Sequence, residues 1–289
     1  EGRKGGSVEV FISEDSSLEK IMKSGQCFRV RRFPDGAYRF VTGTNAAYLR
    51  SLGEKRYDAS CTPAEWSSLW APYFDLTRDY AALRRRAGGK HPFVDAAMAE
   101  GAGLRILRQD PWETLITFII SQRKSIPAIA SAVETLAARW GSPLETERET
   151  LFPFPSPEAM AEVREEKLRA CALGYRAPYV LDAVRQVSGG TLDLAAIGRM
   201  EDEALFRSLQ SVRGVGKKVA ECICLFGYGR LGRVPVDVWI ERAIRDECGG
   251  CEPFTLYGDD AGVIQQYVFY AMRRKKGRSA AERGERQHG

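Results

Sequence analysis

Two hydrophobic rhythms divide this chain. From Ser7 to Ile12, apolar and polar positions alternate with the two-residue period of a half-buried strand. Phe28 to Phe33 and Tyr38 to Thr42 flank Pro34-Asp35-Gly36, where proline presets φ and glycine accepts positive φ; the pair predicts a hairpin. Ala47 to Leu52 predicts another strand. Thr62-Pro63-Ala64-Glu65 places an N-cap, a first-turn proline and a third-position glutamate in order, predicting a helix to about Tyr73. Asp110-Pro111-Trp112-Glu113 repeats that start signal, and Leu115, Ile116 and Ile119 follow as an apolar stripe. Further helices are predicted over 125–140, 162–173, 176–187 and 201–210, with Gly141, Gly174 and Gly189-Gly190 as stops. The expected fold is α+β: an N-terminal antiparallel β-sheet domain with flanking helices over residues 1–90, packed on a larger all-helical domain over 91–289.

Composition narrows the function classes. The 289 residues are 44% hydrophobic, enough to bury a core and to exclude disorder as the dominant state. No apolar run approaches the roughly 18–20 residues of a membrane span, and Glu1 to Ser7 does not resemble a signal peptide. The expected location is intracellular, in contact with DNA if the chemistry below holds. The net charge is +5, and residues 271–289 alone, with seven basic and two acidic residues, equal that excess. Such a tail suits a polyanion, or simply keeps a solvated C-terminus soluble. Seven cysteines are expected to be reduced thiols. Cys248-Gly-Gly-Cys251 lacks two more ligands at short spacing, so neither a metal nor another cofactor is expected.

The chemistry concentrates after residue 203. A helix ends, Arg213-Gly214-Val215-Gly216 turns, and a second helix begins near Lys217, a helix-hairpin-helix over about 203–228. The glycines let backbone N–H groups and the positive helix end face a phosphate, although glycine turns of this kind are common without a ligand. Lys218 lies in the first helical turn, where a cation opposes the helix dipole. A lysine nucleophile must shed its proton, which in general takes ~4 kcal/mol. A helix terminus supplies only about 0.3–2 kcal/mol, so desolvation must supply the rest. Cys222 shares the helical face of Lys218; its ordinary role is a small buried side chain. In Val234-Pro235-Val236-Asp237, the aspartate predicts an N-cap. It also suits stabilisation of positive charge developing on a sugar.

These elements resemble the helix-hairpin-helix DNA glycosylase superfamily, and more closely the 8-oxoguanine DNA glycosylases. The resemblance rests on Ser24-Gly25-Gln26-Cys27-Phe28-Arg29, Leu107-Arg108-Gln109-Asp110-Pro111, Leu173-Gly174-Tyr175-Arg176-Ala177, Val219-Ala220-Glu221-Cys222-Ile223-Cys224-Leu225 and Val234-Pro235-Val236-Asp237-Val238, in order over about residues 8–274. It implies a monomeric, bifunctional glycosylase/lyase acting on double-stranded DNA that contains 8-oxoguanine. Lys218 would attack C1′ of a flipped nucleotide and form a Schiff base; Asp237 would stabilise the transition state. Gly25 would recognise the lesion through its carbonyl, with Gln265, Phe269 and Cys222 around the base. Gln265 and Phe269, four apart, share a helical face. Tyr175 would be the wedge and Arg176 would contact the opposite base. Gln122, Arg123, Lys124, Arg213, Gly214, Val215, Gly216, Lys217 and Trp239 would complete the DNA interface.

Four departures stand out. An asparagine run becomes Ser121-Gln122-Arg123-Lys124-Ser125, and an arginine that reads the opposite cytosine becomes Ala128. A proline before the hairpin becomes Arg213, and a histidine after the aspartate becomes Trp239. Ala128 removes the basis for strict cytosine preference; Arg123 or Lys124 could fill the gap or bind phosphate. Two other readings remain at this point. One is a glycosylase for alkylated or other damaged bases within the same superfamily. The other is a non-catalytic protein using the hairpin only to hold DNA.

Overall fold

The computed structural model describes residues 6–13 and 15–285, with side chains as far as 276. Five antiparallel strands form one sheet: β1 (Val8–Phe11), β2 (Arg31–Arg32), β3 (Tyr38–Thr42), β4 (Asn45–Gly53) and β5 (Arg56–Ala59), in the spatial order β1-β5-β4-β3-β2. Tyr38 pairs with Leu49 and Val8 with Ala59, so Val10, Phe40, Leu49, Tyr57 and Ala59 contribute to one buried cluster. Trp70, Tyr73 and Phe74, from the segment capped by Thr62, close it.

The strand expected over 28–33 pairs only at Arg31–Arg32. The reason is tertiary. Gln26 donates to the Arg105 carbonyl (2.8 Å) and accepts from the Leu107 N–H (2.7 Å), and Phe28 meets Phe118 edge-on at 6.1 Å. Residues 24–28 are therefore tied to the 105–107 segment and, through Phe28, to the 111–121 helix, rather than paired with a neighbouring strand. Leu107 belongs to the sheet's cluster, while Tyr80 and Leu83 belong to the helical core, so the two cores interleave along the chain.

The helical layer includes Pro111–Ser121, Ile126–Trp140, Ala177–Ser188, Asp202–Gln210, Lys217–Tyr228, Val238–Glu247 and the long Ala261–Glu285. The 111–121 helix is nearly all buried and packs against the 217–228 helix. Arg29 and Arg39 lie between the layers and reach Glu134, and Arg39 also meets Glu149 at 3.0 Å. The helix expected over 162–173 is shorter. A regular turn at Glu165–Leu168 passes into a wider one at Arg169–Leu173, where Ala172 takes φ +58°. That break aims the following Gly174-Tyr175 outward, leaving Tyr175 47% exposed.

The basic segment does not begin as a loose tail. The Ala261–Glu285 helix runs through it. Arg274 pairs with Glu100 at 3.2 Å and Lys275 with Glu247 at 2.5 Å. The side chains of Arg278 and Arg283, and Arg286 as a whole, lie outside the described residues. Among the described residues no helix is long and apolar enough to cross a membrane. Cys248 and Cys251 are free thiols.

Candidate active site

Lys218, Asp237, Gly25 and Phe269 come from four separate segments and line one open cleft of about 820 Å³. Each is positioned by local chemistry. Gly216 ends the hairpin as the N-cap of the 217–228 helix, and Lys218 follows in its first turn, half-buried. Gly214 holds φ +83°, and a methyl there would overlap the Tyr179 ring. Glycine is thus required at 214 on both counts. Gly216 meets nothing within 4 Å, so the hairpin backbone is open to a ligand.

The Lys218 Nζ lies 5.5 Å from the Phe118 ring centroid. Burial pushes the neighbouring Cys222 thiol up to about 11, against the opposing pull of Lys218. Cys222 is thus fully packed behind the lysine and does not line the cleft. Asp237 caps the 238–247 helix, accepting from the Trp239 and Ile240 N–H groups at 3.0 Å each. Burial raises its carboxyl above the usual range, and those two hydrogen bonds and the nearby Lys218 charge draw it back.

Gln265 contributes differently from the arrangement implied by the resemblance. It is 2% exposed, lies off the cleft wall, and donates to the Pro235 carbonyl at 2.9 Å. It anchors the extended segment that delivers Asp237. Phe269, on the same helical face, does reach the cleft and packs on Gly25, whose Cβ, if present, would lie 3.0 Å from the ring. Gly25 holds φ +76°, fixed between Ser24, which donates to the Ile21 carbonyl, and the doubly bound Gln26.

The rim is held by backbone carbonyls. Gln122 donates to the Gly214 carbonyl at 3.1 Å and so ties the rim loop to the hairpin. Its own carbonyl accepts from Arg176, which also donates to the Leu173 carbonyl at 3.2 Å. Arg176 is consequently buried beside Tyr175, and its guanidinium is committed to protein carbonyls rather than presented to a base. Lys124 is likewise spent on the Ala172 carbonyl at 2.8 Å. Arg123 alone of this loop's cations is exposed and unpaired among the described residues, on a backbone at φ +53°. Arg213 stacks over Tyr179, Val215 is buried, and Lys217 is exposed on the cleft lip with Trp239.

Sequence reasoning missed Phe118 and Arg273. Arg273 lines the cleft, lies over Phe269 at 5.7 Å and donates to the Lys23 carbonyl. Its place four residues after Phe269, on one helical face, was the available signal.

Residues 10–115 match the family model of the 8-oxoguanine DNA glycosylase N-terminal domain, and residues 116–250 that of the HhH-GPD superfamily of base excision DNA repair proteins. A probable N-glycosylase/DNA lyase of Methanothermobacter thermautotrophicus is 31% identical over 201 residues, 60% of this chain and 64% of that protein. The chain thus spans just under two thirds of the length of that curated relative. The Clostridium acetobutylicum 8-oxoguanine glycosylase/lyase, solved with DNA containing cytosine opposite 8-oxoguanine, is 31% identical. It superposes with a TM-score of 0.87 over 96% of this chain and 98% of that one. A structure described as MBOgg1 with a low-affinity DNA ligand is 34% identical, with a TM-score of 0.89 over 95% and 98%.

Proposed function

The chain belongs to the 8-oxoguanine DNA glycosylase/lyase family, and we propose that it excises 8-oxoguanine from duplex DNA and then cleaves the strand. The observation that carries this reading is the convergence of Lys218, Asp237, Gly25 and Phe269 on one solvent-open cleft beside the hairpin. The nucleotide leaves the stack and enters the cleft. The Lys218 amine attacks C1′, the N-glycosidic bond breaks, and its electron pair departs with the base. The resulting hemiaminal opens to a Schiff base as the C1′–O4′ bond breaks and O4′ takes its electron pair and a proton, the amine's proton having been lost in the attack. Loss of a C2′ proton then expels the 3′ phosphate. Asp237, half-buried and fixed by two backbone donors, stabilises the positive charge on the sugar, an effect strengthened by exclusion of water.

Lesion choice follows from one proton. Guanine N7 is an acceptor, whereas N7 of 8-oxoguanine carries hydrogen. A carbonyl on the rigid Gly25 accepts from the lesion and repels the normal base, a difference on the order of 1–3 kcal/mol. Phe269 stacks on the base, and Tyr175 enters the stack from the rim. With Arg176 and Lys124 committed elsewhere, Arg123 faces the opposite strand. Its paired donors match the adjacent N3 and O2 acceptors of cytosine. The site of action is with the DNA inside the cell.

The test is a duplex with one 8-oxoguanine opposite cytosine. Free 8-oxoguanine and a nick formed without alkali are expected. Base release with nicking only in alkali would refute the lyase step, and no base release would refute the substrate.

A further inference from the structure

Beyond the cleft lip, two cations from separate helices flank one indole. Trp239, two residues after Asp237, has the Arg242 guanidinium 5.3 Å and the Lys276 ammonium 5.2 Å from its ring centroid. Arg242 belongs to the 238–247 helix and Lys276 to the C-terminal helix. Both are exposed, and neither is in an ion pair among the described residues. Their neighbours differ. Arg245 is paired with Asp246 at 2.7 Å, Lys275 with Glu247, and Arg274 with Glu100. Of the nearby carboxylates, Glu241 lines the cleft, and Asp246, which also attracts Arg242 through space, makes its ion pair with Arg245. Val238, 69% exposed on the same lip, adds an apolar surface beside the charges.

The ring face attracts both cations, and with no ion pair of their own their N–H groups stay free to donate to an anion. The cluster is open rather than concave, so it suits a chain-borne anion lying across it. It is continuous with the cleft through Trp239 and Val238. Exposed cations interleaved with an aromatic and an aliphatic side chain fit a sugar–phosphate backbone. We propose that Arg242 and Lys276, arrayed about Trp239, bind backbone phosphates of the DNA strand as it leaves the cleft. This rests on the proposed action on duplex DNA and extends it to residues outside the hairpin and the reacting centre.

The experiment measures affinity for an undamaged duplex as salt rises from about 50 to about 200 mM. Each phosphate contact contributes a slope of about −0.9 in log affinity against log salt. Arg242→Gln with Lys276→Gln should therefore flatten the slope by about 1.8, and either single change by about half that. Arg242→Lys, which keeps the charge, should preserve the slope, as should Arg274→Gln, whose parent is already paired. The emission of Trp239, identified by difference from Trp239→Phe, should change when duplex is added to the native chain. An unchanged slope in the double variant would overturn the proposal. So would equal flattening by Arg274→Gln, or an equal charge-dependent affinity for phosphatidylserine vesicles. Absence of salt-dependent duplex binding by the native chain would instead overturn the action on DNA itself.

Discussion

Replacing Gly25 with alanine tests how the base is recognised. Its φ of +76° is one that L-residues enter at a cost of roughly 1–2 kcal/mol. The added methyl would sit 3.0 Å from Phe269 Cε1 and 3.2 Å from Ile126 Cδ1. Both side chains border the open cleft, so each can yield outward by a few tenths of an ångström. Stability should then fall by little more than the backbone cost, about 1–2 kcal/mol, or roughly 2–3 °C in melting temperature. Recognition should suffer more, because the carbonyl and the stacking ring move together. Loss of a match worth on the order of 1–3 kcal/mol predicts a single-turnover excision rate per unit affinity about 5- to 150-fold lower. Melting, single-turnover excision of 8-oxoguanine and binding to an abasic duplex give the three readings. The variant should keep its affinity for the abasic duplex, which has no base to recognise. Equal losses on both duplexes, or normal excision despite a lowered melting temperature, would refute the assignment of Gly25.

Asp237→Asn retains a good N-cap, so melting should change by no more than about 1 kcal/mol while the excision rate falls about 10²- to 10³-fold. Because burial raises the Asp237 carboxyl and the reaction needs it ionised, the native pH profile should lose activity on the acid side above the ordinary carboxylate range. Glu113, half-buried near Arg29, is raised to about 7, mainly by desolvation. Its folded state holds the proton more tightly than the unfolded state, so this contribution is present below about pH 4.5 and lost as pH rises through about 7, roughly 3 kcal/mol in all. Denaturant titrations at either end should show that loss in the native chain and not in Glu113→Gln. Arg123→Ala should slow excision opposite cytosine by about 5- to 150-fold and opposite adenine much less; uniform slowing across opposite bases would mean that Arg123 holds only phosphate.

Much of this site was readable from local signals. The Asp237 cap, the Gly214 turn and the first-turn lysine each depend on neighbours within a few residues, which is where sequence patterns are informative. The short strand β5 was missed although Arg56-Tyr57-Asp58-Ala59 alternates polar and apolar positions with Tyr57 and Ala59 buried; four residues are a weak signal alone, and pairing with β1 and β4 fixes them as a strand. Gln265 was not readable, since its partner is a carbonyl thirty positions away. Arg176 looks like a free cation in the sequence, yet the Ala172 break and the Gln122 carbonyl bury it. For Gln265 and Arg176 alike, a long-range backbone acceptor decided where the polar side chain went.

The central claim is that Lys218 forms a covalent bond with the sugar of an 8-oxoguanine nucleotide. Borohydride reduction during reaction with an 8-oxoguanine:cytosine duplex measures this directly, with the native chain beside Lys218→Gln. A trapped protein–DNA adduct in the native chain that disappears in the variant is the predicted result. An adduct that persists in the variant, or base release by the native chain with nothing trapped, would contradict it.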